Sequence, residues 1–494
     1  MNVFRNLMAG GCLAMTAVPA LAQQHEKPNI IFIYADDMGY SDLACYGSTV
    51  NETPNLDRMA EEGMRFTDFY SGAPVSTPSR ACLMTGRYPS RIGIRHVFFP
   101  HSFTGMSPEE VTMAEMLRAE GYGTALFGKW HLGTDYQYLP KRQGFDEFFG
   151  SVASIDNPPF CYVDGDTWQD TPACKDSTTI TITNKALDYI ERKTQQGQTF
   201  FCYVAYEMPH VPIAASPRFK GKSKNGLYGD VIMELDWGVG EILKKVKELG
   251  IDENTIIAFS SDNGPWLSEG PNAGCALPLY RGKGTTWDGG QRVPMIIRWK
   301  GHIKPGQVEE SVAFMGDWFV TFATLTGGKI PTDRPIDGQN ILPVLLNTGH
   351  RANQDFAYIS SMKLEAYRSG DWKLKLPEPL KKGNYWQTDV PAHDTLLINL
   401  REDIGEQVNL KDKHPEIVRM LAAKMDSLKQ THVIADKAIF QWEMATDQLT
   451  DQQRLDAVLD AKKKGIGPKS KNGEAQLEFY EAKEKFQKGG GSIF

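Results

Sequence analysis

Four apolar runs in this sequence share a pattern that constrains the fold more than any other feature. Polar residues follow each run where it ends: NIIFIYADD, GYGTALFGKWHLG, TFFCYVAYEMPH and NTIIAFSSDNG. Apolar residues on both faces of a strand are typical of a parallel sheet that is covered on both sides. Helical patterns such as TITNKALDYIERKT lie between the runs. The sequence therefore predicts an α/β sheet with helices on both faces, and polar groups collected at the carboxyl ends of the strands.

A second, smaller unit follows DGQNILPVLL, where the alternation fades. Short strand patterns such as FAYISSM and DTLLINL precede the amphipathic helix HPEIVRMLAAKMDSLKQ, which indicates a smaller α+β domain. The chain then becomes charged and helix-prone. The sequence predicts a signal peptide at 1–22, a large domain at 23–346, a C-terminal antiparallel sheet with a helix at 347–430, and a charged helical tail at 431–494.

The charge and the first residues restrict the function and the compartment. A net charge of −7 speaks against a nucleic-acid binder, because neutralising phosphates requires a dense basic surface. The segment MNVFRNLMAGGCLAMTAVPALAQQ has the layout of a cleavable secretory signal. No later apolar run is long enough to span a bilayer. We expect a secreted or periplasmic protein that is cleaved after Ala22 and has no transmembrane segment.

Six cysteines remain after the predicted signal peptide, in a compartment that permits disulfides: Cys45, Cys82, Cys161, Cys174, Cys202 and Cys275. Cys161 and Cys174 bracket a polar loop and are the best candidates for a pair. The pattern around Cys45, Cys82 and Cys202 is more typical of small buried apolar residues.

Two of the strand ends carry side chains that suit a metal ion. Asp36 and Asp37 end the first run, and Asp262 and Asn263 end the fourth. Three carboxylates brought together repel one another unless a cation binds them, and an amide oxygen can join them without adding charge. Oxygen ligands favour Ca²⁺ or Mg²⁺ over zinc. The alternative is that both segments only form turns, which is the commoner meaning of Asp-Asn-Gly.

Cationic side chains lie at the other strand ends. Lys129 and His131 are two residues apart, so an extended segment points both to one side. His210 follows the third run, Lys283 lies in a glycine-rich segment, and Arg80 lies in PVSTPSRACLMTGR. Together these groups could surround a tetrahedral oxyanion and supply protons to a leaving group. Taken singly, each is more often a surface cation or a hydrogen-bonded histidine.

The segment PVSTPSRACLMTGR predicts a short helix. Pro78 suits the first helical position, Thr77 is a candidate cap, and Gly86 can end the helix. Ser76 would then lie just outside a helix N-terminus, where free amide groups and the helix dipole favour anions. A capping loop accounts for these residues, but not for the arginine that follows them.

The same segment resembles the sulfatase signature C/S-x-P-S-R-x-x-x-L/M-T-G-R, which is highly specific. Further segments are similar, in order, to landmarks of the type I sulfatases, in the branch of arylsulfatase A and N-acetylgalactosamine-6-sulfatase: PNIIFIYADDMGYSDLACYG, GKWHLG, MPHVP, SSDNGPW and GKGTTWDGGQRVP. The resemblance covers roughly residues 27–425. It implies an alkaline-phosphatase-like fold, in which helices sandwich a large mixed sheet beside a smaller C-terminal α+β domain.

The resemblance also implies a catalytic apparatus. Ser76 would be oxidised by a maturase to formylglycine, whose hydrated aldehyde would attack the sulfur of a sulfate ester. The implied ligands of one Ca²⁺ are Asp36, Asp37, Asp262, Asn263 and the modified Ser76. The residues implied to bind sulfate and to move protons are Arg80, Lys129, His131, His210 and Lys283. His210 or Lys283 would protonate the departing alcohol, and His131 would deprotonate the second hydroxyl.

The family resemblance favours a secreted hydrolase of sulfated carbohydrates or aryl sulfates, but two alternatives stay open. A phosphonate or phosphate monoester hydrolase can share the fold and the aldehyde. A non-catalytic protein that binds sulfated glycans would keep the pocket without maturation. Serine at position 76, where cysteine is more widespread, fits a bacterial enzyme with an anaerobic maturase. A serine introduced in place of a native cysteine would instead leave a chain that binds substrate without turnover.

Contacts to the remainder of the substrate would come from the loops HVFFPHSFTG and SIDNPPFCYVDGDTW. The candidates in these loops are His96, His101, Tyr162 and Trp168. The alternative is that they are ordinary surface residues. By analogy with the family, we expect a sulfated sugar at a chain end.

Overall fold

The structure is a computed structural model that describes residues 27–99, 105–157, 160–169, 171–383 and 389–434. The predicted signal peptide, the candidate His101 and nearly all of the predicted tail lie outside these residues. The strands are β1 Asn29–Ala35, β2 Met64–Phe66, β3 Phe69–Tyr70, β4 Gly123–Gly128, β5 Glu147–Gly150, β6 Val163–Asp164, β7 Thr167–Trp168, β8 Phe200–Ala205, β9 Thr255–Ser261, β10 Met295–Trp299, β11 Gln307–Glu309, β12 Ala313–Phe314, β13 Asp355–Ser360, β14 Lys363–Ser369, β15 Trp372–Lys375 and β16 Leu396–Asn399. The helices are α1 Pro54–Glu61, α2 Ser76–Thr85, α3 Met113–Ala119, α4 Thr178–Gln195, α5 Gly226–Glu248, α6 Asp288–Gln291, α7 Asp317–Thr326, α8 Leu342–Leu345 and α9 Pro415–Thr431.

A ten-stranded mixed sheet forms the centre of the molecule, in the order β11-β2-β10-β9-β1-β8-β4-β5-β6-β7. The four apolar runs form its middle: β9, β1, β8 and β4 are neighbours and run parallel to one another. Antiparallel strands extend the sheet on both sides, beginning with β10 next to β9 and with β6 next to β5. The predicted α/β fold with a large mixed sheet is confirmed.

Side chains of β1 alternate between two apolar layers, which explains why this strand has no polar face. Ile30, Phe32 and Tyr34 pack with residues of α2, α3 and α7 on one side. Ile31 and Ile33 pack with residues of α1, α4 and α5 on the other side. Because helices cover both faces, each position along the strand favours an apolar residue.

The C-terminal part forms a four-stranded antiparallel sheet, β13-β14-β15-β16, against which α9 packs. Its junction with the large sheet is a buried ionic contact. Lys373 of β15 lies 2.9 Å from Asp288 Oδ1 and 2.7 Å from Glu406 Oε1. The smaller α+β domain is therefore present as predicted, while the boundary at residue 346 stays a prediction.

The predicted pairing of Cys161 with Cys174 is wrong for this structure, in which both are free cysteines. Two backbone hydrogen bonds show that the segments around them run antiparallel: Gln169 N donates to the carbonyl of Tyr162, and Ala173 N donates to the carbonyl of Phe160. Phe160 and Ala173 are opposite each other in this antiparallel pair. The next residue on each segment is a cysteine, and the two segments run in opposite directions, so Cys161 and Cys174 lie on opposite sides of the pair.

Of the helices in the described ranges, none combines the length and the hydrophobicity that a bilayer span requires.

Candidate active site

The register of the central strands brings the predicted site residues to one edge. Ala35 pairs with Ser261, Tyr34 with Ala205, and Gly128 with Ala205. The residues that directly follow β1, β9, β8 and β4 must therefore leave the sheet side by side. These segments carry the predicted acids together with Lys129, His131 and His210, whereas Lys283 lies in the glycine-rich loop before α6.

Ser76 lies at the middle of this edge as the first residue of α2, and it is only 1% exposed. Its Oγ is 2.6 Å from Asp262 Oδ2 and 3.0 Å from Asp36 Oδ1, so the hydroxyl can donate to either carboxylate. Free amide groups of a helix N-terminus surround the same position. The pocket therefore combines a hydroxyl group, two acceptors for its proton, and a helix end that favours anions.

The predicted start of this helix is wrong by two residues. The N-terminal cap is Val75, without a side-chain cap, so Ser76 is inside the helix. Thr77 does not cap because its Oγ1 donates to the carbonyl of His131 and accepts from the amide of Phe98. Pro78 is tolerated at the third helical position because the first turn leaves amide groups unpaired. The predicted end is confirmed, since Gly86 has a φ of 69° at the C-cap.

Each of three buried carboxylates contacts a different cationic side chain. Lys129 Nζ is 2.5 Å from Asp36 Oδ2. Lys283 Nζ is 2.7 Å from Asp37 Oδ2. Arg80 Nη2 is 2.8 Å from Asp262 Oδ2, and its Nη1 donates to the carbonyl of Lys129. These six side chains cancel in formal charge, so the pocket is built from ions without a large net charge.

The pKa values of two of these carboxylates are shifted in opposite directions. Burial alone would raise the pKa of Asp36, but the cations Lys129 and Arg80, together with His210, outweigh it and lower the pKa to about 2. Burial raises the pKa of Asp262, and the nearby Asp36 carboxylate raises it further. Two carboxyl groups that share the Ser76 hydroxyl thus have pKa values shifted in opposite directions, and Asp262 is the better proton acceptor of the two.

The donor set fits a hard divalent cation. Oxygen atoms of Asp36 and Asp262 accept from Ser76, the amide of Asp37 donates to Asp262 Oδ1, and Asn263 Nδ2 donates to Asp37 Oδ1 at 2.7 Å. The other amide atom, Asn263 Oδ1, is buried and has no hydrogen-bond partner among the described residues. An unpaired buried acceptor beside several carboxylates is expected where a cation normally binds. One ligand atom each from Asp36, Asp37 and His210 also lies within 4.8 Å of the others, so a histidine borders the oxygen cluster.

The two histidines have different tautomers and environments. His131 Nε2 is 2.8 Å from the carbonyl of Phe98, so this nitrogen carries the proton, while Nδ1 is buried without a partner among the described residues. Burial and the neighbouring cations lower its pKa well below the ordinary value. His210 Nδ1 is 2.6 Å from the carbonyl of Val211, which leaves Nε2 facing Asp37 at 3.5 Å.

Three further residues of the pocket were missed in the sequence. Ser154 Oγ is 3.2 Å from Lys129 Nζ, on the loop after β5, a four-residue parallel strand that is not one of the four apolar runs. Glu207 is buried and hydrogen-bonded to Ser151, and burial raises its pKa to about 8. Trp266 contacts both Lys283 and His210. The last two directly follow central strands, so the rule that found their neighbours could also have found them.

The loop candidates are placed as follows. His96 is buried, with Nδ1 2.8 Å from the carbonyl of Val97. Tyr162 is half-buried and packs against the ring of Phe149 at 4.7 Å. Trp168 lies in the edge strand β7. Their contacts to a substrate stay predictions.

The fold is of the alkaline-phosphatase-like class, and a buried pocket of paired acids and cations lies at the carboxyl edge of its large mixed sheet. A sequence profile of the sulfatase family matches residues 28–328. The N-acetylgalactosamine-6-sulfatase of Rattus norvegicus is 39% identical over 380 residues, which cover 71% of this chain and 72% of that protein. The chain belongs to the sulfatase family, and it is a hydrolase that acts on sulfate esters.

Solved structures agree with this assignment. One from Bacteroides thetaiotaomicron, described with the metabolism of multiple glycosaminoglycans, is 30% identical with a TM-score of 0.76, and the match covers 82% of this chain and 99% of that chain. The phosphonate monoester hydrolase of Agrobacterium radiobacter is 19% identical with a TM-score of 0.59, and the match covers 82% of this chain and 96% of that chain. At that identity the likeness concerns the fold alone.

Proposed function

We propose that the chain is a secreted or periplasmic sulfatase of the serine type, which uses a formylglycine made from Ser76 and one Ca²⁺ to remove sulfate from a sulfated carbohydrate. The observation that carries this proposal is the position of Ser76. Its buried Oγ lies between Asp262 and Asp36, at a helix N-terminus, within a ring of cationic side chains. The leader at 1–22 supports export, and a maturase would be the partner that oxidises Ser76.

The residues that would hold Ca²⁺ are Asp36, Asp37, Asp262 and Asn263, with the modified Ser76 completing the set. When bound, the ion would supply positive charge to the oxygens that carry negative charge during the reaction. The unpaired Asn263 Oδ1 supports this assignment because it would gain a partner. The hydrated aldehyde would supply two hydroxyls on one carbon, so that one can attack and the other can later release the product.

The side chains of this chain would handle the charge and the protons. Asp262 Oδ2, which already accepts from Ser76 Oγ, would take the proton of the attacking hydroxyl. Arg80, Lys129 and Lys283 would bind the sulfuryl oxygens, because all three are buried cations at this edge. A pocket without a large net charge that gains a divalent cation becomes positive, which favours a sulfate ester monoanion.

His210, Lys283 and His131 would carry out the two remaining proton transfers, one to the leaving alcohol and one from the second hydroxyl of the hydrated aldehyde. His210 Nε2 and Lys283 Nζ lie on the Asp37 side of the pocket and would protonate the leaving alcohol. His131 has a neutral ring with a buried Nδ1 that has no partner among the described residues, so this atom would take a proton from the second hydroxyl.

The names of the relatives suggest the substrate to examine first. The rat relative is an N-acetylgalactosamine-6-sulfatase, and we propose a 6-O-sulfated N-acetylhexosamine or a related sulfated sugar. The test is sulfate release from defined sulfated mono- and disaccharides, measured by ion chromatography, beside the phosphate ester of the same sugar. We expect the sulfate ester to be cleaved much faster. Clearly faster release of phosphate would favour a phosphate or phosphonate hydrolase and would contradict the proposal.

A further inference from the structure

Trp266 lies against both side chains that would protonate the leaving alcohol. Its ring centroid is 4.5 Å from Lys283 Nζ and 5.4 Å from the ring of His210, which meets the indole edge-on at 70°. Trp266 is 3% exposed, and the two partners are 2% and 3% exposed. One buried aromatic side chain thus bridges a lysine from one loop and a histidine from another.

The local backbone fixes this arrangement. The amide of Lys283 donates to the carbonyl of Pro265 at 2.9 Å, which joins the loop after β9 to the glycine-rich loop. The loops can approach because residue 282 is glycine: a Cβ there would lie 2.4 Å from the same carbonyl oxygen. The indole Nε1 donates to Ser268 Oγ at 2.7 Å, which sets the rotation of the ring. The position of Trp266 therefore follows from the approach of the two loops at Pro265 and from the hydrogen bond of its indole to Ser268.

A cation over an aromatic face is stabilised most when water is excluded from both. The Lys283 ammonium group contacts the Asp37 carboxylate, at 2.7 Å, and the face of the indole ring. The ring also excludes water from His210. Without the ring, Lys283 would keep a strong attraction towards Asp37 and lose the contact that holds it beside His210.

We propose that Trp266 is a positioning residue for general-acid catalysis: it holds Lys283 and His210 together at the place where the leaving alcohol departs. This inference rests on the proposed function. It assigns to the tryptophan no contact with the reacting atoms. The effect of replacing Trp266 on the rate should therefore depend on how strongly the leaving group needs a proton.

The test compares two aryl sulfates that differ mainly in that need. 4-Nitrophenyl sulfate has a leaving group stable as an anion, whereas phenyl sulfate has a poorer one. For Trp266→Leu we expect kcat with phenyl sulfate to fall about tenfold and kcat with 4-nitrophenyl sulfate to fall about twofold. Trp266→Phe keeps an aromatic face and should recover most of the loss. Ser268→Ala, at an exposed position, removes only the anchor of the indole and should give a small loss of the same selectivity.

Trp237→Leu is the matched control, because Trp237 also lies under a cation, Arg218 at 4.6 Å, but on the outer helix α5. It should leave the ratio of the two rates unchanged. Equal losses on both esters in Trp266→Leu, or no loss on either, would overturn the inference while the wild-type rates uphold the proposed function. If Trp266→Leu does not fold, Ser268→Ala decides, and an unchanged rate ratio in that variant would overturn the inference. A wild-type protein that carries formylglycine at position 76 and binds Ca²⁺ but cleaves neither the two aryl sulfates nor any of the sulfated sugars would overturn both proposals.

Discussion

In the pocket around Ser76, acids and cations stand in pairs. Asp36, Asp37 and Asp262 face Lys129, Lys283 and Arg80, and all six side chains are 3% exposed or less. Burying ions is costly unless each finds a partner, so loss of any one of them leaves an uncompensated charge. At the scale of single residues, ion pairs therefore stabilise the site. The predicted metal ion would bind next to carboxylates that are already paired with cationic side chains.

Asn263 offers a test of the metal site that needs no activity measurement. Because its Oδ1 is a buried acceptor without a hydrogen-bond partner in the described part of the chain, we expect Ca²⁺ to raise the melting temperature of the wild-type protein. Asn263→Ala should need about tenfold more Ca²⁺ for the same shift. The control is Asn272→Ala, an exposed asparagine outside the pocket. Equal Ca²⁺ responses in both variants would remove Asn263 from the ligand set.

Glu207 predicts a pH dependence of stability. Burial raises its pKa from 4.5 to about 8, so the folded state keeps the proton while the unfolded state releases it above pH 4.5. The contribution of Glu207 to the free energy of unfolding is therefore fully present at low pH and is lost as the pH rises towards 8. Glu207→Gln stays neutral at every pH and should not share this loss.

The measurement is the melting temperature of Glu207→Gln minus that of the wild type, in chelator, from pH 5 to pH 8.5. We expect the difference to become more positive with pH, by about 2 °C or more. Glu248→Gln, an exposed change on α5, is the control. A difference that stays constant across this range would show that Glu207 is ionised in the folded protein.

At the scale of elements, the site depends on the close approach of β4 and β8. Gly128 ends β4 directly before Lys129, with a φ of 110°, and a Cβ there would lie 1.8 Å from the carbonyl oxygen of Ala205. No side chain fits without moving one of the two strands. The lysine that faces Asp36 is therefore positioned by a glycine.

Gly128→Ala should be strongly destabilising, by about 3 kcal/mol or more, because it combines backbone strain with a clash between strands. Gly121→Ala is a matched control, since Gly121 also has a positive φ, 89°, but no atom of the described residues lies within 4 Å of the new Cβ. It should cost about 1 kcal/mol. Urea unfolding of both variants measures the difference, and equal costs would mean that the interstrand contact is not important.

The elements of the centre could be predicted because apolar continuity and strand-end polarity are properties of local sequence. The runs that form β1, β4, β8 and β9, and the acids and lysines after them, needed no tertiary information. The helix start at Ser76 was predicted wrongly because Thr77, an ordinary capping residue, is used by His131 and Phe98 instead. Ser154 was missed because only the folded chain brings its loop to Lys129. Local sequence patterns carry no information about contacts between segments that are distant in the chain.

At the scale of the whole molecule, the small C-terminal sheet is joined to the large sheet through buried charge. Lys373 contacts Asp288 and Glu406, and all three are buried. Asp288 begins α6, in the segment that follows the loop of Lys283. The C-terminal part therefore supports the back of the active-site loop as well as covering apolar surface.

Lys373→Met should remove the cation that two buried carboxylates share and destabilise the protein by about 3 kcal/mol or more. Lys382→Met removes an exposed pair with Asp389 and should change stability by about 0.5 kcal/mol or less. Denaturant unfolding measures both. A small effect of Lys373→Met would show that the junction does not depend on this ion cluster.

The central claim is that Ser76 is the precursor of the group that performs hydrolysis. Mass spectrometry of the tryptic peptide that covers residues 66–80, taken from protein purified from its native host, tests it most directly. We expect a peptide lighter than the serine form by two hydrogen atoms, in an amount proportional to the specific sulfatase activity, and no activity in Ser76→Ala. An active enzyme whose peptide carries only unmodified serine would contradict it.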